Sequence, residues 1–279
     1  MNTSTAKIKT VAKTALRGHW VQPVLLLVTT YLITYLLDSI LVSLFDPNAF
    51  MYVLLLMLLN YFVIFALDYG QYYYPMSLFG HQKFSIRMLF VGYNKFFYKR
   101  LVVLNFIKSI LLTLSSLLVF IPFIGKLDWL NILSLMFNTS DITLFNRLFK
   151  IVQQFSMGHL LALLGLLILF GLIYLLLEAF FQITGYLVFE NAQNPSAHFV
   201  VSGMLLLKGH WGQLLRLQLS FIIWYFFYAF TFVWLIPYRQ MAIFVFYLNL
   251  KQDFAQKLNA YTNEAKTPDT PDQSKSDKD

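Results

Sequence analysis

The chain contains no cysteine, which excludes disulfides, thiolate nucleophiles and zinc–sulfur sites. Charge is scarce as well: Asp, Glu, Lys and Arg make up 12% of the residues, against roughly 25% in an average soluble protein. A 279-residue chain that is 58% hydrophobic and 18% aromatic cannot coat its core for water with so few charges. Catalytic patterns are missing too. The five histidines, at 19, 81, 159, 198 and 210, show no metal-ligand spacing, and there is no Gly-x-Ser-x-Gly elbow or phosphate-cradling glycine loop. No enzyme activity, metal or cofactor is expected. The net charge is +8, but the basic residues flank apolar runs instead of forming one stripe. Anionic lipid headgroups are therefore the expected partner, and nucleic acid is not.

What is present is a series of apolar runs separated by short polar islands. Val21 to Phe45 carries Asp38 as its only charge and exceeds the roughly 20 residues that a span needs. It follows Lys7, Lys9, Lys13 and Arg17, yet it is too long for a signal peptide and lacks a small-residue cleavage site. Met51 to Leu67 makes a second run, fading through Asp68 into the interfacial tyrosines Tyr72, Tyr73 and Tyr74. Leu101 to Ile124 carries Lys108, and Leu160 to Phe189 carries Glu178. Leu217 to Leu250 is too long for one straight span and short for two, and it contains Pro237. Two short helices are favoured there over one bent span. About six transmembrane helices result.

Lysine and arginine set the orientation. Sixteen lie on the side that holds both termini and three on the opposite side, with Lys108 and Arg239 inside spans. The richer side is cytoplasmic by the positive-inside rule.

A repeat punctuates this pattern. Arg17-Gly18-His19-Trp20-Val21-Gln22 before the first span recurs as Lys208-Gly209-His210-Trp211-Gly212-Gln213 before the fifth, with Gly92-Tyr93-Asn94 as a weaker copy. Each copy follows a stretch of helical character. Ile8, Val11, Ala12, Ala15 and Leu16 form one stripe, and Ile86, Leu89, Phe90, Tyr93 and Phe97 another. The third stretch opens with Asn194-Pro195-Ser196 and runs through Phe199, Leu206 and Leu207. The expected fold is all-α and polytopic: three transmembrane hairpins, each preceded by an amphipathic interfacial helix that turns through a glycine. Residues 1–265 form one membrane domain. Residues 266–279, without apolar side chains to order them, form a disordered cytoplasmic tail. The elbow residues His19, Trp20, His210 and Trp211 are candidates for contact with lipid or the interface.

Charges at membrane depth face a partner or a cavity. Glu178 lies eleven residues before Phe189, and Arg239 eleven before Leu250, both on inward-running helices. At about 1.5 Å per residue they share one depth and can pair. Lys108 snorkels to the inner interface or joins Glu178. The first functional expectation is a non-enzymatic membrane protein whose basic cytoplasmic helices bind anionic lipid or a partner protein. The alternative is a small transporter or exporter, and a continuous cavity lined by Lys108, Glu178 and Arg239 would put that alternative first.

Tyr186-Leu187-Val188-Phe189-Glu190-Asn191, Asn194-Pro195-Ser196-Ala197, Leu207-Lys208-Gly209-His210-Trp211, Leu217-Gln218-Leu219-Ser220-Phe221-Ile222 and Trp234-Leu235-Ile236-Pro237-Tyr238 together resemble a family of uncharacterised bacterial integral membrane proteins, domain of unknown function 975. The resemblance is densest over residues 186–250 and reaches faintly to Gly18-His19-Trp20. It implies a membrane fold in the bacterial cell membrane and brings no activity with it. Residues 126–155 read as an insertion relative to that pattern.

Overall fold

The computed structural model describes residues 4–46, 50–120, 156–191 and 196–264. The expected disordered tail and the 126–155 insertion lie outside them. The described residues are helical, with no strand among them. In order they form α1 (Thr5–Leu16), α2 (Val21–Leu44), α3 (Phe50–Leu59), a π-helical turn (Asn60–Ile64), α4 (Phe65–Phe79), a 3-10 helix (Ile86–Tyr93) and α5 (Tyr98–Phe120). Further along come α6 (Met157–Glu190), α7 (Ser196–Leu207), α8 (Trp211–Leu219), α9 (Ile222–Phe226) and α10 (Tyr228–Glu264).

Among the described residues, five helical stretches are long and apolar enough to cross a membrane: Val21–Leu44, Phe50–Phe79, Tyr98–Leu117, Met157–Glu190 and Phe230–Lys257. Their outer faces carry exposed apolar side chains. Leu161, Leu164 and Ile168 of α6, for example, are all more than half exposed. Apolar groups turned outward in this way suit a hydrocarbon solvent.

The last apolar stretch yields one of these five spans. The chain breaks at Ser220–Phe221 and again at Phe227, leaving α8 and α9 too short to cross alone. Contacts of Arg239 with Gln218 and of Tyr238 with Phe221 centre on residues 228–229, so α8–α9 lies back along α10.

The core sits where α4, α6 and α10 meet. Gln71 of α4 reaches Gln240 of α10, and Phe79 reaches Phe244. Gln182 of α6 likewise reaches Gln240, and Tyr186 reaches Phe244. Residue numbers climb together in both sets, so the three helices run parallel. By contrast, Tyr52 bonds Asp38, Gln71 bonds Thr30 and Tyr74 bonds Gln22, which makes α3–α4 antiparallel to α2.

Each parallel helix carries a short helix on its flank: the 3-10 helix packs on α4, α7 on α6, and α1 on α10. Small residues permit the close approach. A Cβ on Gly70 would lie 2.0 Å from the Leu89 carbonyl oxygen, and one on Gly92 would lie 2.4 Å from that of Ala66. The 3-10 geometry corrects the expected stripe over this segment. Met88, Leu89 and Gly92 are buried, whereas Ile86 and Phe90 are exposed. At three residues per turn, positions 89 and 92 eclipse on one face, where a 3.6 periodicity had put 86, 89, 90 and 93 together.

The two strong copies of the repeat adopt one conformation. Gly18 has φ +83° and Gly209 φ +82°, values that L side chains rarely take. His19 N–H donates to the Leu16 carbonyl at 2.9 Å, and His210 N–H to that of Leu207 at 2.8 Å. Asn94 N–H donates to Val91 in the same register, so the weaker copy keeps the turn. Its glycine, however, lies one place early, and no positive φ occurs there. An alanine Cβ at Gly18 would meet nothing within 4 Å, so its cost is conformational alone. Gly18→Ala is expected to lose about 1–2 kcal/mol in detergent unfolding, with Gly18→Asn recovering part of it because Asn tolerates positive φ. Equal stability of Gly18→Ala and the parent would remove the strain from this account.

Candidate functional site

A cavity of about 640 Å³ opens between the helices, and every long apolar segment contributes to its wall. Thr30, Tyr31 and Thr34 come from α2, Asp68, Gln71 and Tyr72 from α4, and Lys108 from α5. Tyr174 and Glu178 come from α6, Tyr225 from α9, and Arg239 and Gln240 from α10.

Of the charged residues singled out in the sequence, Arg239 and Glu178 are in contact. Arg239 Nη2 lies 3.0 Å from Glu178 Oε2, at ion-pair distance but without the alignment of a hydrogen bond. Arg239 Nε donates to Gln218 Oε1 at 2.9 Å. The guanidinium is thereby held from two sides, and its residue is only 7% exposed. Lys108 lines the same cavity but forms no ion pair with Glu178 among the described residues. It acts electrostatically on both Glu178 and Asp68.

Asp68 is the residue that sequence reasoning missed. Helix α4 surrounds it with neighbours, yet its side chain is exposed because it faces the cavity. The cavity wall therefore carries two carboxylates and two cations.

Below the charged level a neutral network closes the floor. Gln71 Nε2 donates to Thr30 Oγ1 at 2.9 Å, and Gln240 Nε2 donates to Gln71 Oε1 at 3.3 Å. Gln182 Nε2 donates to the Tyr186 hydroxyl at 2.6 Å and to the Gln240 carbonyl at 3.3 Å. Tyr186, Phe244 and Tyr247 fill the space beneath. At the end of α6, Glu190 Oε2 accepts from Tyr247 at 2.7 Å and from Lys251 at 2.6 Å.

Toward the other end a second cavity of about 350 Å³ shares Tyr31, Thr34 and Ile64 with the first and continues to Asp38, whose carboxylate accepts from Tyr52 at 2.9 Å. The π turn forms part of the shared wall. Such a turn frees backbone carbonyls that have no water to satisfy them, and here side chains do so. Tyr93 donates to the Val63 carbonyl and Tyr98 to that of Phe62, both at 2.8 Å, and Asn105 reaches that of Tyr61 at 3.5 Å. Burial pushes the Tyr93 hydroxyl up to about 12, so it remains a donor at any physiological pH.

The elbow residues lie apart from this cavity. His19 is exposed, and Trp20 stacks edge-on against Trp234 at 6.2 Å. His210 Nδ1 lies 3.2 Å from Gln213 Oε1, and Trp211 packs beside Phe180 at 5.8 Å while staying 40% exposed. The tryptophans are thus partly spent on packing.

No curated protein and no solved structure matches the chain. A family match spans residues 1–253 and carries the description "Protein of unknown function (DUF975)". With all five long apolar helices inside or mostly inside that match, the chain belongs to the DUF975 family.

Proposed function

We propose that the protein is a non-enzymatic membrane carrier that takes up a small polar solute within the bilayer. In this reading it forms three helical hairpins, α2 with α3–α4, α5 with α6, and α8–α9 with α10, the third being short and re-entrant on its first arm. Interfacial helices lie on a cytoplasmic face that holds both termini. The observation that carries the reading is the cavity lined by Lys108, Glu178 and Arg239, to which Asp68 adds a fourth charge. Gathering four ionisable groups around one cavity inside an apolar bundle is costly, and packing alone gives no reason for Asp68 and Lys108 to be there. The continuation toward Asp38, and the close-packed glutamine and tyrosine floor on the other side, favour an opening away from the lysine-rich face. The basic elbows, with His19 and Arg17 exposed, are proposed to contact anionic lipid at the cytoplasmic surface.

Single cysteines test this reading against a background free of native thiols. In intact cells, a membrane-impermeant thiol reagent is expected to label Thr34→Cys and Asn138→Cys and to spare Thr5→Cys, Lys83→Cys, Ser196→Cys and Ser274→Cys. An inert Thr34→Cys would overturn the outward opening. Labelling of Thr5→Cys or Lys83→Cys would invert the orientation.

A further inference from the structure

We infer that the cavity binds a zwitterion, with Asp68 receiving the ligand's ammonium end and Lys108 its oxyanion end. This deepens the carrier reading and rests on it. The four charges of the wall divide into two kinds. Glu178 and Arg239 already satisfy each other at 3.0 Å, and Gln218 fixes the guanidinium from behind at 2.9 Å, so this pair is a strut between α6 and α10. Asp68 and Lys108 lie on α4 and α5, face the same space and influence each other electrostatically, yet neither has an ion-pair partner within 4 Å among the described residues.

A carboxylate and an ammonium that share a low-dielectric cavity without touching constrain what can displace the water between them. A cation alone would neutralise Asp68 and leave Lys108 facing an added like charge. An anion alone would do the reverse. Each leaves one charge uncompensated at membrane depth, the costly outcome. A ligand that carries both signs satisfies both groups and keeps the filled site neutral. The volume of about 640 Å³ falls within the range of small-molecule sites, roughly 300–1,000 Å³. Ammonium and oxyanion occur together in free solutes and in zwitterionic lipid headgroups, and the wall recognises the shared chemistry.

Calorimetric titration of the purified protein in detergent tests this with four probes: glycerophosphorylethanolamine, ethanolamine, inorganic phosphate and dihexanoyl phosphatidylethanolamine. Glycerophosphorylethanolamine or the short-chain lipid is expected to bind at least tenfold more tightly than either ethanolamine or phosphate. Saturation by glycerophosphorylethanolamine assigns the site to a free solute, and saturation by the lipid alone assigns it to a headgroup. Two variants separate a binding role from damage to the fold. Asp68→Asn should lose the zwitterion by tenfold or more and improve phosphate relative to ethanolamine; Lys108→Gln should lose it equally and shift that ratio the other way. Unchanged binding in both variants, parallel shifts of the ratio, or no binding of any probe by the parent would overturn the inference. If the probes fail while Thr34→Cys still labels from outside, the zwitterion assignment falls and the cavity reading stands.

Discussion

Arg239→Leu is expected to destabilise the protein by about 3–5 kcal/mol, because it leaves the half-buried Glu178 carboxylate inside the apolar bundle without its counter-charge. The loss should appear as a lowered midpoint in detergent-induced unfolding or a lower melting temperature. Its origin is diagnosed by the companion Glu178→Leu/Arg239→Leu. Removing both charges eliminates the uncompensated ion, and such apolar replacements are often close to neutral. The double variant should therefore be more stable than Arg239→Leu alone, a coupling that a double-mutant cycle reads directly. A double variant whose loss equals the sum of the losses of Glu178→Leu and Arg239→Leu would mean that the pair at 3.0 Å is not coupled. Gln218, whose amide oxygen holds Arg239 Nε, loses its partner in both variants, so its contribution cancels from the comparison.

Gly70→Ala is the second large effect. The added methyl would fall 2.0 Å from the Leu89 carbonyl oxygen and 2.5 Å from its carbonyl carbon, and both are backbone atoms that no rotamer change can move. The 3-10 helix must then lift off α4. Leu89, fully buried at 0% exposure, would lose its packing as it does so. Overpacking of this kind costs about 1–3 kcal/mol and more where backbone must shift, and the upper end is expected here. Gly171→Ala is the control, since nothing lies within 4 Å of its added Cβ. Thermal denaturation should separate the two by several degrees. Equal melting temperatures would show that the two segments yield without cost.

The long spans were legible because length and apolarity alone define them. Glu178 and Arg239 were reached by counting back from the ends of two apolar runs, a step that works when the helices run parallel and those ends are level, as the contact of Glu190 with Lys251 shows for α6 and α10. Asp68 was not reached. The apolar run fades there into Tyr72, Tyr73 and Tyr74, and in sequence that fading looks like the edge of the membrane. In the structure the helix continues through Phe79, so Asp68 faces the interior. Gln71, Gln182, Gln218 and Gln240 were silent for another reason: they carry no charge, and each becomes informative only when its partner is seen. The break at Ser220–Phe221 has no glycine or proline to announce it, which is why two short spans were expected over a stretch that holds one long apolar helix. The 3-10 helix was misread because a 3.6-residue period was applied to a segment wound at three.

Helix α1 has its partners at the far end of the chain. Lys9 Nζ donates to the Ser220 carbonyl at 3.1 Å and sits 4.5 Å over the Phe221 ring, while the Tyr238 hydroxyl donates to the Lys9 carbonyl at 3.2 Å. The first of these bonds joins residues 211 positions apart. A ribosome adding about 5–20 residues per second needs about 10–40 s to cover that distance. For that interval α1 has no α10 to cover Ile8, Ala12 and Leu16, the residues it finally buries. The lipid surface is the natural waiting place for such a stripe. Helix α1 is therefore made well before the segment it packs on, and its docking waits on the synthesis of α10.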